Sequence, residues 1–421
     1  MASASVRPAL PVAPPLRVRR PRRSSARARS GASASTTAST DSDAATSRDD
    51  AWRLRDGRFL WRGHDVHFER AGDPARATKH VVFLHGFGVG TFHYDAQLRD
   101  LPDATTCVWA LDLVGQGDSW PAPGACVDGF AYSAETWRDQ VIHFLERVVR
   151  EEAAANDATA EPTRAYLAGN SLGGFVAAHV AAEAPALVKG LILMNATPFW
   201  AFVPPRDEDE DEDEHASNFP RPSLVPWRGQ LPAPRWIQAP FRWYWDSFRS
   251  EANVRGLLSL VYARPDAVDA SLVRDIVAPT NRPDALAAFC SVVWSPKPRR
   301  SFDEVLARLT RSDECRHIPV SLVYGRDDPW VVPLWGQRLK RAVPRAWYYQ
   351  LSDVGHCPAH ESPAAVNDVV AGWVEWAEGA GAGGEEREPP AGSECGVARL
   401  VDGAPGNVFE RLAAWWETRA G

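Results

Sequence analysis

Residues Gly169-Asn-Ser-Leu-Gly173 place one hydroxyl between two glycines. A short apolar run, Arg164-Ala-Tyr-Leu-Ala168, leads into them, and an Ala-rich stretch with helical spacing, Gly174 to Ala184, follows. A strand, a sharp turn and a helix with serine at the apex form a nucleophile elbow. The turn lifts the hydroxyl above the sheet edge, and the glycines let helix and strand approach closely. The backbone N–H of Leu172 then faces the oxygen that turns negative when Ser171 attacks a carbonyl. A Gly-Ser loop can match this pattern by chance, so the rest of the chain must supply the partners.

Those partners should follow in the order serine, acid, histidine, each at the end of a strand. Val320-Ser-Leu-Val-Tyr324 reads as a strand ending in Gly325-Arg-Asp-Asp-Pro-Trp330. Asp327 and Asp328 both qualify by position. Asp328, three residues past Gly325 and next to Pro329, is the expected acid. The end of the preceding strand offers Asn195, a neutral amide that does not replace a carboxylate's charge. The expected base is His356 in Asp353-Val-Gly-His356-Cys-Pro, after the last strand and before the last core helix. Its rivals sit less well: His360 lies four residues on, His179 is on the elbow helix, His215 ends an acidic run, and His317 precedes its strand. The second oxyanion donor is expected at Phe87, in His85-Gly86-Phe87, with His85 bracing that loop. Together the residues predict acyl transfer through Ser171, Asp328 and His356, with the amides of Phe87 and Leu172 as the oxyanion hole and no cofactor or metal.

The elements that must hold these groups alternate. Apolar stretches around Asp56-Gly57 and Arg62-Gly63 predict an opening hairpin within Trp52 to Glu69. Strands are expected at Lys79–Leu84, Cys107–Asp112, Leu187–Met194, Ile318–Tyr324 and Ala346–Leu351. Helices are expected at Ala134–Glu152 and Pro363–Trp376. This is an α/β chain with a mostly parallel, doubly wound sheet covered on both faces. The pattern breaks at Thr197. Residues 198–300 read as an inserted helical cap rich in Trp and Pro, with an acidic loop at 207–214 that should be solvated. The remaining boundaries are 49–197 and 301–377 for the two parts of the core. Residues 378–421 read as a linker and a C-terminal helix, 407–419, with an apolar stripe. That stripe is either packed back on the domain or used to dock on a membrane surface or partner.

The first 40 residues carry eight arginines and no acid. Arg-rich, Ser-rich and acid-poor, with no apolar core, describes an organelle transit peptide, assigned with its arm to 1–48. The formal charge of −7 becomes near −15 once those eight positive charges are removed, which disfavours phosphate-backbone binding and nucleic acid as a partner. Six cysteines, at 107, 126, 290, 315, 357 and 395, have no C-x-x-C spacing, so neither a zinc site nor a disulfide framework is suggested.

The cap carries Trp200, Trp227, Trp236, Trp243, Trp245 and Trp294 with Phe241, Tyr244, Phe248 and Phe289. Such residues either form the cap's own core or suit a large, flat, greasy substrate.

Several segments resemble the chloroplast pheophytinases of the alpha/beta-hydrolase superfamily. They are Gly86-Phe-Gly-Val-Gly-Thr-Phe-His-Tyr94, Trp137-Arg-Asp-Gln140, Gly169-Asn-Ser-Leu-Gly-Gly174, Leu187-Val-Lys-Gly190, Asn195-Ala-Thr-Pro-Phe-Trp200, Tyr324-Gly-Arg-Asp-Asp-Pro-Trp330 with Pro333-Leu-Trp-Gly336, and Gly355-His-Cys-Pro358. His85 stands where these enzymes usually have Pro. The resemblance implies the alpha/beta-hydrolase fold, a chloroplast location in the stroma or on the thylakoid, and hydrolysis of the phytyl ester of pheophytin to pheophorbide and phytol. Its implied partners are a phytylated chlorin and, beyond the substrate, the thylakoid surface or other chlorophyll-breakdown proteins. Three alternatives accompany it. The first is a dephytylase of chlorophyll itself or another plastid lipid esterase. The second is a meta-cleavage-type C–C hydrolase, which uses a similar elbow but wants a smaller, polar pocket. The third is a non-catalytic chlorin-binding scaffold, which predicts a missing triad member.

Overall fold

The computed structural model describes residues 54–156, 162–196, 227–296, 298–380 and 398–400. The arm at 1–48, the acidic loop at 207–214, Trp200 and the helix expected at 407–419 lie outside the described residues.

The chain opens with a hairpin, β1 (Arg55–Trp61) and β2 (His64–Ala71), paired antiparallel. Its two-residue turn is Arg62-Gly63, with φ of 44° and 78°, the doubly positive conformation that matches strand twist. Asp56-Gly57 lies inside β1 rather than at a turn. Gly57 is needed there because a Cβ would sit 2.3 Å from Phe68 Cζ across the ladder.

The remaining strands are β3 (Lys79–Leu84), β4 (Thr106–Leu111), β5 (Trp120–Pro121), β6 (Ala165–Asn170), β7 (Val188–Met194), β8 (Val320–Gly325), β9 (Trp347–Leu351) and β10 (Ala398–Leu400). Sheet order is β1-β2-β4-β3-β6-β7-β8-β9-β10, with β5 paired to β2. The run from β4 through β9 is parallel. Its central strands are buried along their whole length, which is why they read as mostly apolar rather than alternating. β10 is a correction to the sequence reading. Part of the segment taken as a linker pairs antiparallel with β9 and closes that edge of the sheet.

Helix α1 (Ala134–Phe144) starts on Ser133, whose hydroxyl accepts the N–H of Thr136. It runs on through a π-helical stretch, Leu145–Val149. α2 (Leu172–Glu183) is buried from Leu172 through Ala182. It is wedged between the sheet, α1 and a helix of the second core part, so its sequence is apolar all round, as an enclosed helix requires.

The cap contributes α3 (Arg235–Phe248), α4 (Glu251–Ser259), α5 (Ala270–Thr280) and α6 (Ala285–Val293). Part of it shares the main core, through Trp227, Leu231, Ile237 and Leu286. The rest builds a small core of its own around Val254, Leu258, Tyr262 and Leu272. The second core part adds α7 (Phe302–Arg311), α8 (Pro333–Ala342) and α9 (Pro363–Ala380). α7 begins with a reciprocal capping box between Ser301 and Glu304.

Candidate active site

Ser171 sits between β6 and α2 with φ 52° and ψ −114°. A non-glycine residue there costs about 1–3 kcal/mol and persists only where its surroundings impose it. They do. The Ser171 N–H donates to Met194 O at 2.9 Å, and a Cβ on Gly173 would lie 2.0 Å from Leu84 O. Strand β3 and the elbow are therefore packed backbone to backbone.

Asp328 follows β8 and is 2% exposed. Its Oδ2 accepts His356 Nδ1 at 2.7 Å and Asn195 Nδ2 at 2.5 Å. Its Oδ1 accepts the N–H groups of Trp330 and Val331 at 2.8 and 2.9 Å. Burial by itself would raise the carboxyl's pKa. The facing His356, its hydrogen bond and the two backbone donors overcome that and hold it below the ordinary aspartate value. Asp327, the other positional candidate, pairs instead with Arg326 at 3.3 Å.

His356 stands in the loop after β9. The Asp328 bond fixes Nδ1, leaving Nε2 as the nitrogen available for chemistry. Two bonds fasten its backbone, and two more hold its neighbours. Its N–H donates to Val261 O at 2.9 Å, and its carbonyl accepts Asn170 Nδ2 at 2.9 Å. Glu361, 2% exposed, accepts the N–H groups on both sides of it, from Gly355 and Cys357, at 3.1 Å each. The same carboxylate accepts Ala263 and Arg264 of the cap at 2.8 and 3.2 Å. Among the described residues no hydrogen bond joins Ser171 Oγ to the imidazole. That contact often tightens only when substrate binds.

The rival histidines are occupied elsewhere. His360 packs on His93 with centroids 4.9 Å apart. His179 packs at a tilt on Phe175, with centroids 4.4 Å apart, and burial takes its pKa down to about 3. His317 belongs to the turn before β8, and His215 lies outside the described residues.

The loop after β3 abuts the nucleophile, since a Cβ on Gly86 would touch Ser171 Cβ at 3.6 Å. His85 braces this loop. Its Nδ1–H donates to Gly86 O at 2.7 Å, while Nε2 accepts Leu113 N–H at 3.0 Å, which defines one neutral tautomer. Full burial lowers its pKa in agreement. The N–H of Gly88 is held by Gln116 Oε1 at 2.7 Å. Phe87 is thus fixed from both sides, and no hydrogen bond among the described residues uses its own N–H or that of Leu172. Two amides unpaired among the described residues, one next to Gly86 and one next to Ser171, suit the oxyanion hole expected there.

Asn195 and Glu361 are the site residues that sequence reasoning missed. Asn195 ends β7 at φ 43°, a conformation Asn tolerates better than most residues, and its Oδ1 accepts Gly325 N–H at 3.3 Å. Glu361 carried no signal beyond its position five residues after the base.

The cap aromatics divide three ways. Trp227 and Trp294 pack on each other at 6.2 Å. Phe241, Trp245 and Phe248 surround Phe289 at 5.5–5.9 Å, and Phe289 reaches Phe87 at 6.5 Å. Trp236 and Trp243 face solvent. Apart from these, a cavity of about 650 Å³ is lined by Asp56, His67, Glu69, Asp112 and Asp275 among others and contains none of Ser171, Asp328 or His356. There His67 Nδ1 bonds Asp112 Oδ2 at 2.7 Å. Burial would lower the histidine's pKa, but its bonds to Asp112 and Asp56 push it up to about 10.

Comparison with known proteins places this geometry. The chain is 34% identical over 341 residues to the chloroplastic pheophytinase of Arabidopsis thaliana, across 75% of this chain and 65% of that protein. It therefore spans about two thirds of that relative's length. Among solved structures it is similar to a membrane phospholipase A (TM-score 0.53, 20% identity, 79% of this chain and 89% of that one). It is also similar to a meta-cleavage product hydrolase from Pseudomonas fluorescens (TM-score 0.52, 20% identity, 76% and 97%). Likeness at this identity concerns the fold. The pattern of the alpha/beta hydrolase family matches residues 81–369, and the chain belongs to that family.

Proposed function

We propose that this protein is a serine carboxylic-ester hydrolase acting in chlorophyll breakdown, and that it cleaves the phytyl ester of pheophytin to pheophorbide and phytol. The observation that carries the chemistry is the buried Asp328–His356 bond of 2.7 Å above a serine held at φ 52°. His356 Nε2 takes the Ser171 proton as Oγ attacks the ester carbonyl. Asp328 keeps the imidazole in the tautomer that receives it and stabilises the cation that results. The amides of Phe87 and Leu172 bind the tetrahedral oxyanion, each such donor being worth about 3–4 kcal/mol. Phytol leaves with the proton from His356. Water, activated by the same base, releases pheophorbide from Ser171.

The substrate reading is supported by the similarity to a pheophytinase and by the aromatic group that reaches from the cap to Phe87. A flat chlorin ring gains from offset contacts with such rings. A chloroplast location is supported by that same relative and by the Arg-rich, acid-free first 40 residues.

The test is chromatographic assay of the purified chain on pheophytin a and chlorophyll a, with Ser171→Ala alongside. Pheophorbide from pheophytin alone, abolished in the variant, is the expected result. Cleavage of both pigments would make the enzyme a broader dephytylase. Cleavage of neither, with short esters still hydrolysed, would overturn the substrate assignment and leave the serine chemistry.

A further inference from the structure

The outer side of cap helix α3 carries a chemistry that neither the core nor the site uses. The helix reads Arg-Trp-Ile-Gln-Ala-Pro-Phe-Arg-Trp-Tyr-Trp-Asp-Ser-Phe. Its inner side, Ile237, Phe241, Trp245 and Phe248, packs inward, the last three on Phe289. On the outer side Trp243 is 89% exposed, Trp236 54% and Tyr244 48%. Trp236 and Trp243 are two helical turns apart and so share one face. Neither indole makes a ring contact or hydrogen bond among the described residues. Arg235 and Arg242 repeat at the same interval beside them, exposed and without an ion pair there. The helix's one acid, Asp246, is neutralised by Arg249 at 2.7 Å.

Three exposed aromatic rings with two guanidinium groups uncompensated among the described residues suit one kind of partner. Trp and Tyr settle where an apolar phase meets water. Arg hydrogen-bonds phosphate or sulfate groups in a fork while its stem lies along apolar surface. A second copy of the chain fits worse, because a two-fold pairing of this face would set Arg235 and Arg242 against their own counterparts.

We infer that the outer face of α3 seats the protein on a lipid bilayer carrying anionic headgroups. The inner face of the same helix covers the aromatic group leading to Phe87, so one helix diameter, about 10–12 Å, separates the bilayer from that group. Resting on the phytyl-ester reading above, this gives an amphiphilic ester a short path from membrane to Ser171.

The test is co-sedimentation of the full chain with vesicles of phosphatidylcholine alone or mixed with phosphatidylglycerol. It compares the wild type, Trp236→Ser/Trp243→Ser and Arg235→Gln/Arg242→Gln, with melting curves showing that each variant folds. The wild type should bind the mixed vesicles about tenfold more tightly than the neutral ones. The Trp pair should lose about tenfold or more on both, and the Arg pair should weaken the preference for mixed vesicles below the wild-type level, the Arg-rich residues 1–40 being common to all three. Unchanged binding by the Trp pair, no binding by the wild type, or light scattering that shows self-association dependent on Trp236 and Trp243 would each overturn the inference. Pheophytin supplied in detergent separates the two readings. Its cleavage without vesicle binding leaves the substrate assignment and removes the docking face. Vesicle binding as expected with no cleavage does the reverse.

Discussion

Asn195 donates its side-chain amide to Asp328 Oδ2 at 2.5 Å, on the same oxygen that holds His356. One residue at the end of β7 therefore sets where the acid at the end of β8 stands. Removing the amide leaves a buried carboxylate short of a donor, a loss of about 1.5–3 kcal/mol for a bond to a charged group. Asn195→Gly, which also relieves the φ of 43°, should lower kcat by roughly 10- to 100-fold with KM little changed. Asn195→Asp places a second negative charge beside Asp328 and should shift the pH dependence of kcat. A Gly variant as active as wild type would show that the amide does not position the acid.

Glu361 should matter beyond its distance from the chemistry. Its carboxylate collects four backbone N–H groups, two beside His356 and two in the cap. Glu361→Ala strands those donors and should cost about 3 kcal/mol or more, together with most of the ester hydrolysis. Differential scanning calorimetry and steady-state rates read the two effects. Rates that survive once the protein is folded at low temperature would confine Glu361 to stability.

Two glycines separate crowding from backbone conformation. Gly173→Ala has no room, with Leu84 O 2.0 Å from the new Cβ, so soluble, active protein should not be recovered. Gly88 has φ 78° and nothing within 4 Å of an added Cβ. Gly88→Ala should therefore fold and lose only about 1–2 kcal/mol, measurable by urea unfolding.

Glu69, beside the charged cavity, predicts a pH dependence. Burial pushes its pKa up to about 7 from 4.5, with the His67 charge partly opposing it. The folded-state value lies above the unfolded one. The stability it contributes is therefore complete below about 4.5 and lost as pH rises through 7. Glu69→Gln should gain on the wild type over that window, by of order 1–2 kcal/mol once solvent screening is allowed for. Melting temperatures at pH 5 and pH 8 check it, and a difference independent of pH would count against a buried, titrating Glu69.

The strands and the elbow were legible in the sequence because each is fixed locally. β3 ends in the apolar run Val81–Leu84, and the Gly-Asn-Ser-Leu-Gly turn lies between an apolar run and an Ala-rich helical stretch. Ser171, Asp328 and His356 were legible because strand ends are where an α/β sheet presents side chains. Asn195 was read as a failed acid, since its partner is 133 residues away. Nothing local reports that a neutral amide serves a carboxylate on the neighbouring strand. Glu361 escaped for the same reason, its cap partners being 97 and 98 residues distant. β10 was hidden by composition: a Gly- and Glu-rich stretch reads as linker, and only the free edge of β9 recruits Ala398–Leu400 into the sheet.

The hydrogen bond from His356 N–H to Val261 O ties the proposed base to the cap's backbone. A cap that swung away from the sheet would break it and strip Glu361 of its bonds to Ala263 and Arg264. The base would lose its footing in the same movement that admitted water. Under the proposed mechanism access and reactivity are therefore coupled, because the cap backbone that accepts the His356 N–H also donates to Glu361.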